Sequence, residues 1–444
     1  MMLFDESRPI QFQDALPAKV DVVVIGGGVA GISTAYFLAK AGTSVLVCDK
    51  GRVAGEQSSR NLVWIRQQGL DADELPLAME ANRLWEEICT ELDEDIGFKR
   101  TGVLYTANNQ DELSHLEEWL KVADQHQLDT RLLSAHEVDE VLQGPPGNFV
   151  GGIYTPSDAK AEPFKAVPAL ARRLKQLGVT IRENCAVRNV RMQGGNVRGV
   201  VTEDGEVEAQ AVVLAGGAWT SRFLGNLGIS LPQLAVRATV VRTAEAPNVL
   251  EGAATAGHLG IRRRQDGGYT IATAATHDHY ISRDSFKYYS IFQPARNAGS
   301  MQIDLRFSDG LLGRLTQPTR WRDDEVSPFE KTRMLNPEPS PKAVRLIGEG
   351  LAKYLPALAD IKIEQAWAGM IDATPDVVPV LDAMPDHPDL YVATGLSGHG
   401  FGIGPAVGKV MADLVLGNSV NHNLERFRFS RFSDGSPMRP GPGL

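Results

Sequence analysis

Asp21–Ile25 reads DVVVI, a short β-branched run of the kind that forms a strand buried on both faces. A glycine-rich turn follows, Ile32–Ala41 carries a helical pattern stopped by Gly42, and Val45–Cys48 gives a second apolar strand ending at Asp49. Together they make a βαβ unit of about 30 residues. Gly51–Gly69 is polar and irregular, Leu75–Leu92 and Asp111–His126 are helical in period, Thr101–Tyr105 is extended, and Gly144–Asn148 is a turn. A second α/β block opens at Pro163 with a helix over Ala166–Leu177, capped by Gly178. Strands follow at Val179–Arg182 and Val187–Met192, then a hairpin at Asp204–Gly205 and a buried strand at Ala211–Leu214. From Leu234 to Arg306 alternating β segments predict an antiparallel sheet. Pro318–Pro341 reads as loop with one helical turn, Ala343–Tyr354 as helix and Leu390–Ala393 as a last buried strand. The Gly-rich stretch Gly395–Gly404 leads into a helix expected over Pro405–Leu416, and the tail Ser430–Leu444 is expected to be disordered or draped on the surface.

Composition narrows the class. The chain has 444 residues, 43% hydrophobic and 23% charged, which suits a soluble globular protein with a sizeable core. Its net charge of −10 is spread without long runs of one sign, which argues against a nucleic-acid surface. Cys48, Cys89 and Cys185 form no CxxC pair, so neither a thiolate zinc site nor a disulfide framework is expected. The first twenty residues lack the apolar core of a signal peptide. The 18 uncharged residues between Asp21 and Lys40 contain Gly26, Gly27, Gly28 and Gly31, so they read as strand, turn and helix rather than as a membrane span. The expectation is a cytoplasmic protein without a transmembrane segment.

Three motifs carry chemistry. Gly26-x-Gly28-x-x-Gly31 lies between a strand and a helix, and Asp49 follows Gly28 by 21 residues. That is the dinucleotide fingerprint in its required context: glycines for the turn, the pyrophosphate approach and helix packing, a helix N-terminus for the phosphates, and an acid for the ribose. A polar cluster, Ser58-Ser59-Arg60-Asn61, comes soon after the acid and is within reach of a bound cofactor; a solvated loop is the plain alternative. Leu396–Gly408 (LSGHGFGIGPAVG) alternates glycines 398, 400, 402 and 404, so backbone can approach a flat ligand, and the following helix favours negative charge on a reduced ring.

With VLAGGAW (Val213–Trp219) and TPDVVP (Thr374–Pro379), these motifs resemble the FAD-dependent D-amino-acid oxidase superfamily, in its glycine oxidase, sarcosine oxidase and D-amino-acid dehydrogenase branch. The resemblance runs over roughly residues 20–420. It implies an α/β plus α+β chain: a glutathione-reductase-like (Rossmann-type) FAD domain with an interleaved, mostly antiparallel β-sheet substrate domain. The implied partition is 18–98, 148–233 and 356–429 for FAD, 99–147 and 234–355 for substrate, and 430–444 as tail. It also implies noncovalent FAD, with Gly26, Gly28, Ala30 and Gly31 at the pyrophosphate, Asp49 at the ribose and Val187 near the adenine. Ser58, Ser59, Arg60 and Asn61 would approach the flavin, and Gly398, His399, Gly400, Phe401 and Gly402 the isoalloxazine; Lys50, Gly216 and Trp219 complete the set. The implied reaction oxidises a C–N bond of an amino acid or secondary amine by hydride transfer to flavin N5, giving an imine that hydrolyses, with O2 or a quinone or electron carrier as acceptor.

The departures matter as much. Gly369-Met370-Ile371-Asp372 has no arginine before the TPD segment, and Gly402 stands where sarcosine oxidases carry a lysine, so the familiar carboxylate anchors are missing. Arg66 is the expected substitute, with Arg262 and Arg322 as rivals, because a carboxylate in a cleft needs a cation. His399 is the one histidine in a flavin-contacting motif and the candidate base if the substrate were a 2-hydroxy acid, the alternative reading alongside a flavoprotein subunit that passes electrons to a partner. No second GxGxxG appears, so the organic substrate is the electron donor. His277 and His279 alternate as on a strand but lack a third ligand, so the expectation is no metal site.

Overall fold

The computed structural model describes residues 6–143, 149–299, 302–307 and 319–441. The expected turn at Gly144–Asn148 lies outside the described residues. Strand Lys19–Ile25 is apolar on both faces because it sits in mid-sheet, paired in parallel with Val45–Cys48 on one side and Gly205–Leu214 on the other. Among the described residues this sheet has eight strands. Thr180–Arg182 flanks Val45–Cys48, the antiparallel strands Asn196–Thr202 and Val187–Gln193 extend the far edge, and Leu390–Thr394 lies parallel to the end of Gly205–Leu214.

Helix Val29–Lys40 covers one face of this sheet and packs tightly on helix Gly400–Leu416. The close approach is made by absent side chains. A Cβ on Gly404 would stand 2.4 Å from Val29, and one on Gly408 would stand 2.4 Å from Ser33. Helix Leu75–Glu91 braces the other helix from outside: Trp85 stacks on Phe401 at 5.0 Å and donates to the Phe401 and Gly402 carbonyls.

The second sheet has ten strands among the described residues. Its centre is the long pair Leu234–Thr243 and Ile363–Ala373, antiparallel over ten registered residue pairs. Tyr269–Thr273, Leu259–Arg263, Ala253–Ala256, Val103–Ala107, Gly151–Thr155 and Arg131–Ser134 continue from it in that order, with His277–Tyr280 and Ile303–Arg306 on the other side. Pairing is mostly antiparallel, as expected. Two contacts are parallel, Ala253–Ala256 with Val103–Ala107 and His277–Tyr280 with Ile303–Arg306. Strand Ile363–Ala373 was not expected from the sequence at all.

Two expectations need correction. The C-terminal helix begins at Gly400, not Pro405: Pro405 lies inside it, and the Phe401 carbonyl that its missing N–H leaves free accepts from Trp85 Nε1 instead. For the tail the correction is partial: of its two expected states it takes the second, lying over the surface and held as far as Gly441. The buried Arg431 forms a two-pronged ion pair with Asp376 at 2.9 and 3.0 Å, and the Gly441 N–H donates to the Asp376 carbonyl.

Candidate functional site

Two cavities lie next to each other, sharing Gln57 in their walls. The first is lined by the Gly26–Gly28 turn, Asp49, Lys50, Ser58, Val187, Gly216, Trp219 and their neighbours. Asp49 does two jobs at once: its carboxylate oxygens accept from the Gly27 and Gly51 N–H groups, each at 2.7 Å, which ties the glycine turn to the end of the strand. Burial pushes its carboxyl up to about 6. Ser58 accepts from the Val29 N–H at 2.9 Å, and so stands at the N-terminus of helix Val29–Lys40, beside the turn. The sequence had placed it on the flavin side. Lys50 lies 4.2 Å over the Trp219 ring, and both side chains donate to Glu56.

Glycine geometry tests whether a dinucleotide fits here. A Cβ on Gly31 would meet the Gly26 carbonyl oxygen at 2.0 Å, so this residue serves helix packing. On Gly28 the only near atom is Ser58 Oγ, at 3.2 Å, so the backbone there is open to an approaching group. Gly28 supplies no side-chain cap and the first turn carries no acid, so beyond the Val29 N–H taken by Ser58 the helix end keeps its positive pole for an anion. These residues fit the diphosphate and ribose of FAD.

The second cavity, of about 300 Å³, is lined by Arg60, Asn61, Arg66, Gly398, His399, Phe401 and Gly402 from the expected set. Its far wall belongs to the ten-stranded sheet, with Tyr105, Ala238, Val240, Thr255, Thr273, His277 and Ile371. Gln57 lines both cavities. Asp372 fixes the loop between them, accepting from the Gly395 N–H at 2.8 Å and the Leu396 N–H at 3.3 Å, and burial pushes its carboxyl up to about 6. That lets Gly398 take its left-handed conformation, φ +87°, at the cavity edge.

Not every expected residue reaches a cavity. Ala30, Gly31, Ser59 and Gly400 line neither; Ser59 is fully buried, and a Cβ on Gly400 would meet Leu396 at 2.7 Å. The four alternating glycines therefore do not form one ligand seat. Gly398 and Gly402 face the cavity, while Gly400 and Gly404 face packing partners. Arg60 lines the cavity but spends its guanidinium on Gly55, Asn336 and Ala368. Asn61 caps the short helix Gln57–Arg60 and accepts from the Val63 N–H.

The arginine rivals fall away on geometry. Arg262 is 1% exposed and locked in a two-pronged pair with Glu162, both contacts 3.1 Å. Arg322 is exposed and paired with Asp324. Arg66 lines the cavity, lies 5.8 Å over the Tyr105 ring, donates to the Gln68 carbonyl at 2.6 Å, and makes no ion pair among the described residues. Asp158 holds the backbone behind it, accepting from the Gln67 and Gln68 N–H groups, and burial pushes that carboxyl up to about 7.

The histidine pair separates. His279 is satisfied by Ala235 and Ser285, and no cluster suited to a metal occurs among the described residues. His277 is buried on the cavity wall with Nδ1 unpartnered. Sequence reasoning missed Gln57, Trp64, Tyr105 and Glu74. Gln57 lay next to the quoted Ser-Ser-Arg-Asn cluster and was open to the same argument. The others carry no local signal.

Comparison with known proteins agrees with this geometry. The chain superposes on the structure of L-amino acid deaminase from Proteus myxofaciens in complex with anthranilate with a TM-score of 0.91, at 30% identity over 97% of each chain. It is 24% identical to glycine oxidase of Bacillus licheniformis, covering 93% of this chain and 98% of that one. It is 28% identical to 4-methylaminobutanoate oxidase (formaldehyde-forming) of Paenarthrobacter nicotinovorans over 95% of this chain; there it spans 46% of the relative's length. No helix among the described residues is long and apolar enough to cross a membrane. The family model described as FAD dependent oxidoreductase (DAO) matches residues 21–414, and the chain belongs to that family.

Proposed function

We propose that this protein oxidises the C–N bond of an amino acid or N-methyl amino acid, using noncovalently held FAD in the first cavity and taking its substrate into the second. When bound, FAD supplies the two-electron acceptor; the chain supplies position and charge. Asp49 and the open backbone at Gly28 would hold the dinucleotide, and Gly398, Phe401 and Gly402 would offer the edge for the flavin ring. Arg66 anchors the substrate carboxylate in this reading, and the observation that supports it is the state of the two arginines in the cavity wall. Of the two arginines lining the cavity among the described residues, Arg60 is tied to three backbone and amide oxygens while Arg66 makes no ion pair. A guanidinium that binds a carboxylate through two N–H groups fixes the α-carbon as well as neutralising the charge. The mostly apolar walls exclude water around it.

The division of labour of the sequence reading is kept with an adjustment of its boundaries: the eight-stranded sheet carries FAD, and the ten-stranded sheet, which takes Gly151–Thr155 and Ile363–Ala373 out of the segments assigned to FAD, recognises the substrate. Likeness to an L-amino acid deaminase and a glycine oxidase supports the substrate class. A cytoplasmic location and O2 or a quinone as acceptor belong to the reading too. The test is an anaerobic panel of amino acids, N-methyl amino acids and 2-hydroxy acids mixed with the holoprotein. An amino acid that bleaches the flavin absorbance supports the reading. Bleaching by 2-hydroxy acids alone contradicts it.

A further inference from the structure

The second cavity is lined by a histidine, His399, whose buried partner behind it this reading leaves unused. His399 immediately precedes helix Gly400–Leu416, and its Nδ1 lies 3.2 Å from both carboxylate oxygens of Glu74. The pair is deeply buried: the Glu74 side chain has no exposure and that of His399 has 4%. A carboxylate only accepts, so Nδ1 carries the hydrogen of this contact. Nε2 is then the remaining polar atom of the ring, buried and without a protein partner. Leaving such an atom unpaired costs about 1–3 kcal/mol. Three more unpaired atoms belong to residues lining the same cavity: Gln57 Oε1, Trp64 Nε1 and His277 Nδ1. All four atoms sit on residues that line one chamber, with almost no exposed surface of their own.

We propose that His399, held in its Nδ1–H tautomer by Glu74, takes a proton through Nε2 from the ammonium group of the substrate, a step that rests on the C–N oxidation reading above. An amino acid arrives in neutral water as the ammonium form, whose nitrogen has no lone pair to give to a developing C=N bond. In the step one substrate N–H bond breaks and one Nε2–H bond forms. The electron pair of the broken bond stays on the substrate nitrogen, and no oxidant or reductant takes part. The imidazolium that results faces the Glu74 carboxylate, so the buried charges balance. Its proton passes to water as the product leaves. His399 is thus the catalytic residue, and Glu74 positions it.

The surrounding charged and titratable groups leave this role to His399. Asp71, next to Glu74, pairs with Arg426. Across the cavity stand Arg66, Tyr105, His258 and His277. Burial pushes the Tyr105 hydroxyl up and His277 down, so both are neutral near pH 7. His258 is turned to the Leu346 carbonyl at 3.2 Å.

The experiment has two arms on the holoprotein. Nitrogen-15 histidine NMR of wild type against His399→Gln identifies the His399 signals, which are expected to show a protonated Nδ1 and a bare Nε2 that shift in Glu74→Gln. A ring protonated on Nε2 alone overturns the proposal. In the second arm the flavin-bleaching rate is followed against pH with the substrate found in the panel. His399→Gln is expected to slow bleaching about 10²–10⁴-fold at pH 7, with full FAD content, and to recover as the pH approaches the ionisation of the free ammonium group. Glu74→Gln should lower the rate with little change in half-saturation, and imidazole should partly rescue His399→Ala. Equal rates in wild type and His399→Gln overturn the step alone, whereas a panel in which no amine bleaches the flavin overturns the parent reading and the step with it.

Discussion

The two cavities lie side by side and are built on opposite plans. The first is organised around a glycine turn, a helix end and an acid closing the second strand, half of its lining coming from one stretch between Ile25 and Ser58. The second is side chains drawn from distant parts of the chain, from Gln57 to Gly402, meeting because strand register in the ten-stranded sheet turns them inward. A backbone seat depends on local turn geometry, so it constrains residue type at fixed spacing. A side-chain chamber depends on register between remote strands, and a one-residue slip would turn its lining outward. Substitutions at the glycine turn and Asp49 should therefore cost cofactor, and those at Arg66 should cost turnover with cofactor retained.

The largest effect expected is at Gly31. Its Cβ would sit 2.0 Å from backbone oxygen that cannot yield without lifting the helix off the sheet. Gly31→Val should abolish FAD retention on gel filtration, while Gly225→Ala, where a Cβ meets nothing within 4 Å, should leave it unchanged. Next comes Arg66→Lys, which keeps charge and loses the two-pronged geometry. A loss of about 2–4 kcal/mol, or roughly 30- to 1000-fold in kcat/KM, is expected with flavin content intact; loss of FAD in this variant would break the division between the cavities. Asp49→Ala removes a charged acceptor for the ribose and the tie to Gly27, and should weaken FAD binding by about 1.5–3 kcal/mol, roughly 10- to 150-fold. Unchanged retention on dialysis would reduce Asp49 to a strand-end residue.

The smallest effect is at Asp158. Its carboxyl is raised to about 7, so the folded state holds a proton that the unfolded chain has already lost above its ordinary value near 3.8. The stability linked to that proton is complete below pH 3.8 and disappears as pH rises through about 7. Between pH 5 and pH 8 the melting temperature of the FAD-free protein should therefore fall a few degrees more in wild type than in Asp158→Asn. Parallel curves would show that burial there is not felt as a shift.

The same contrast explains what the sequence made legible. The βαβ unit, its fingerprint and Asp49 were readable because every decisive residue sits within one local unit. The antiparallel texture after Leu234 was readable as alternation, but its longest partner, Ile363–Ala373, was not, since its burial belongs to a strand about 130 residues away. The loop at 398–404 misled for a physical reason: glycine serves close helix packing as well as ligand approach, and Gly404 is pressed against Val29 at 2.4 Å. Arg66 was reached by elimination. Glu74, whose contact with His399 spans 325 positions, had no signal a single sequence could carry.

The most direct measurement is product stoichiometry. The holoprotein, mixed anaerobically with excess of the amino acid selected by the panel, should yield one 2-oxo acid and one ammonia or amine for each flavin bleached, and Arg66→Lys should need a far higher concentration to do so. Flavin that bleaches without releasing an amine, or an Arg66→Lys variant with wild-type half-saturation, would contradict C–N oxidation in a chamber anchored by that arginine.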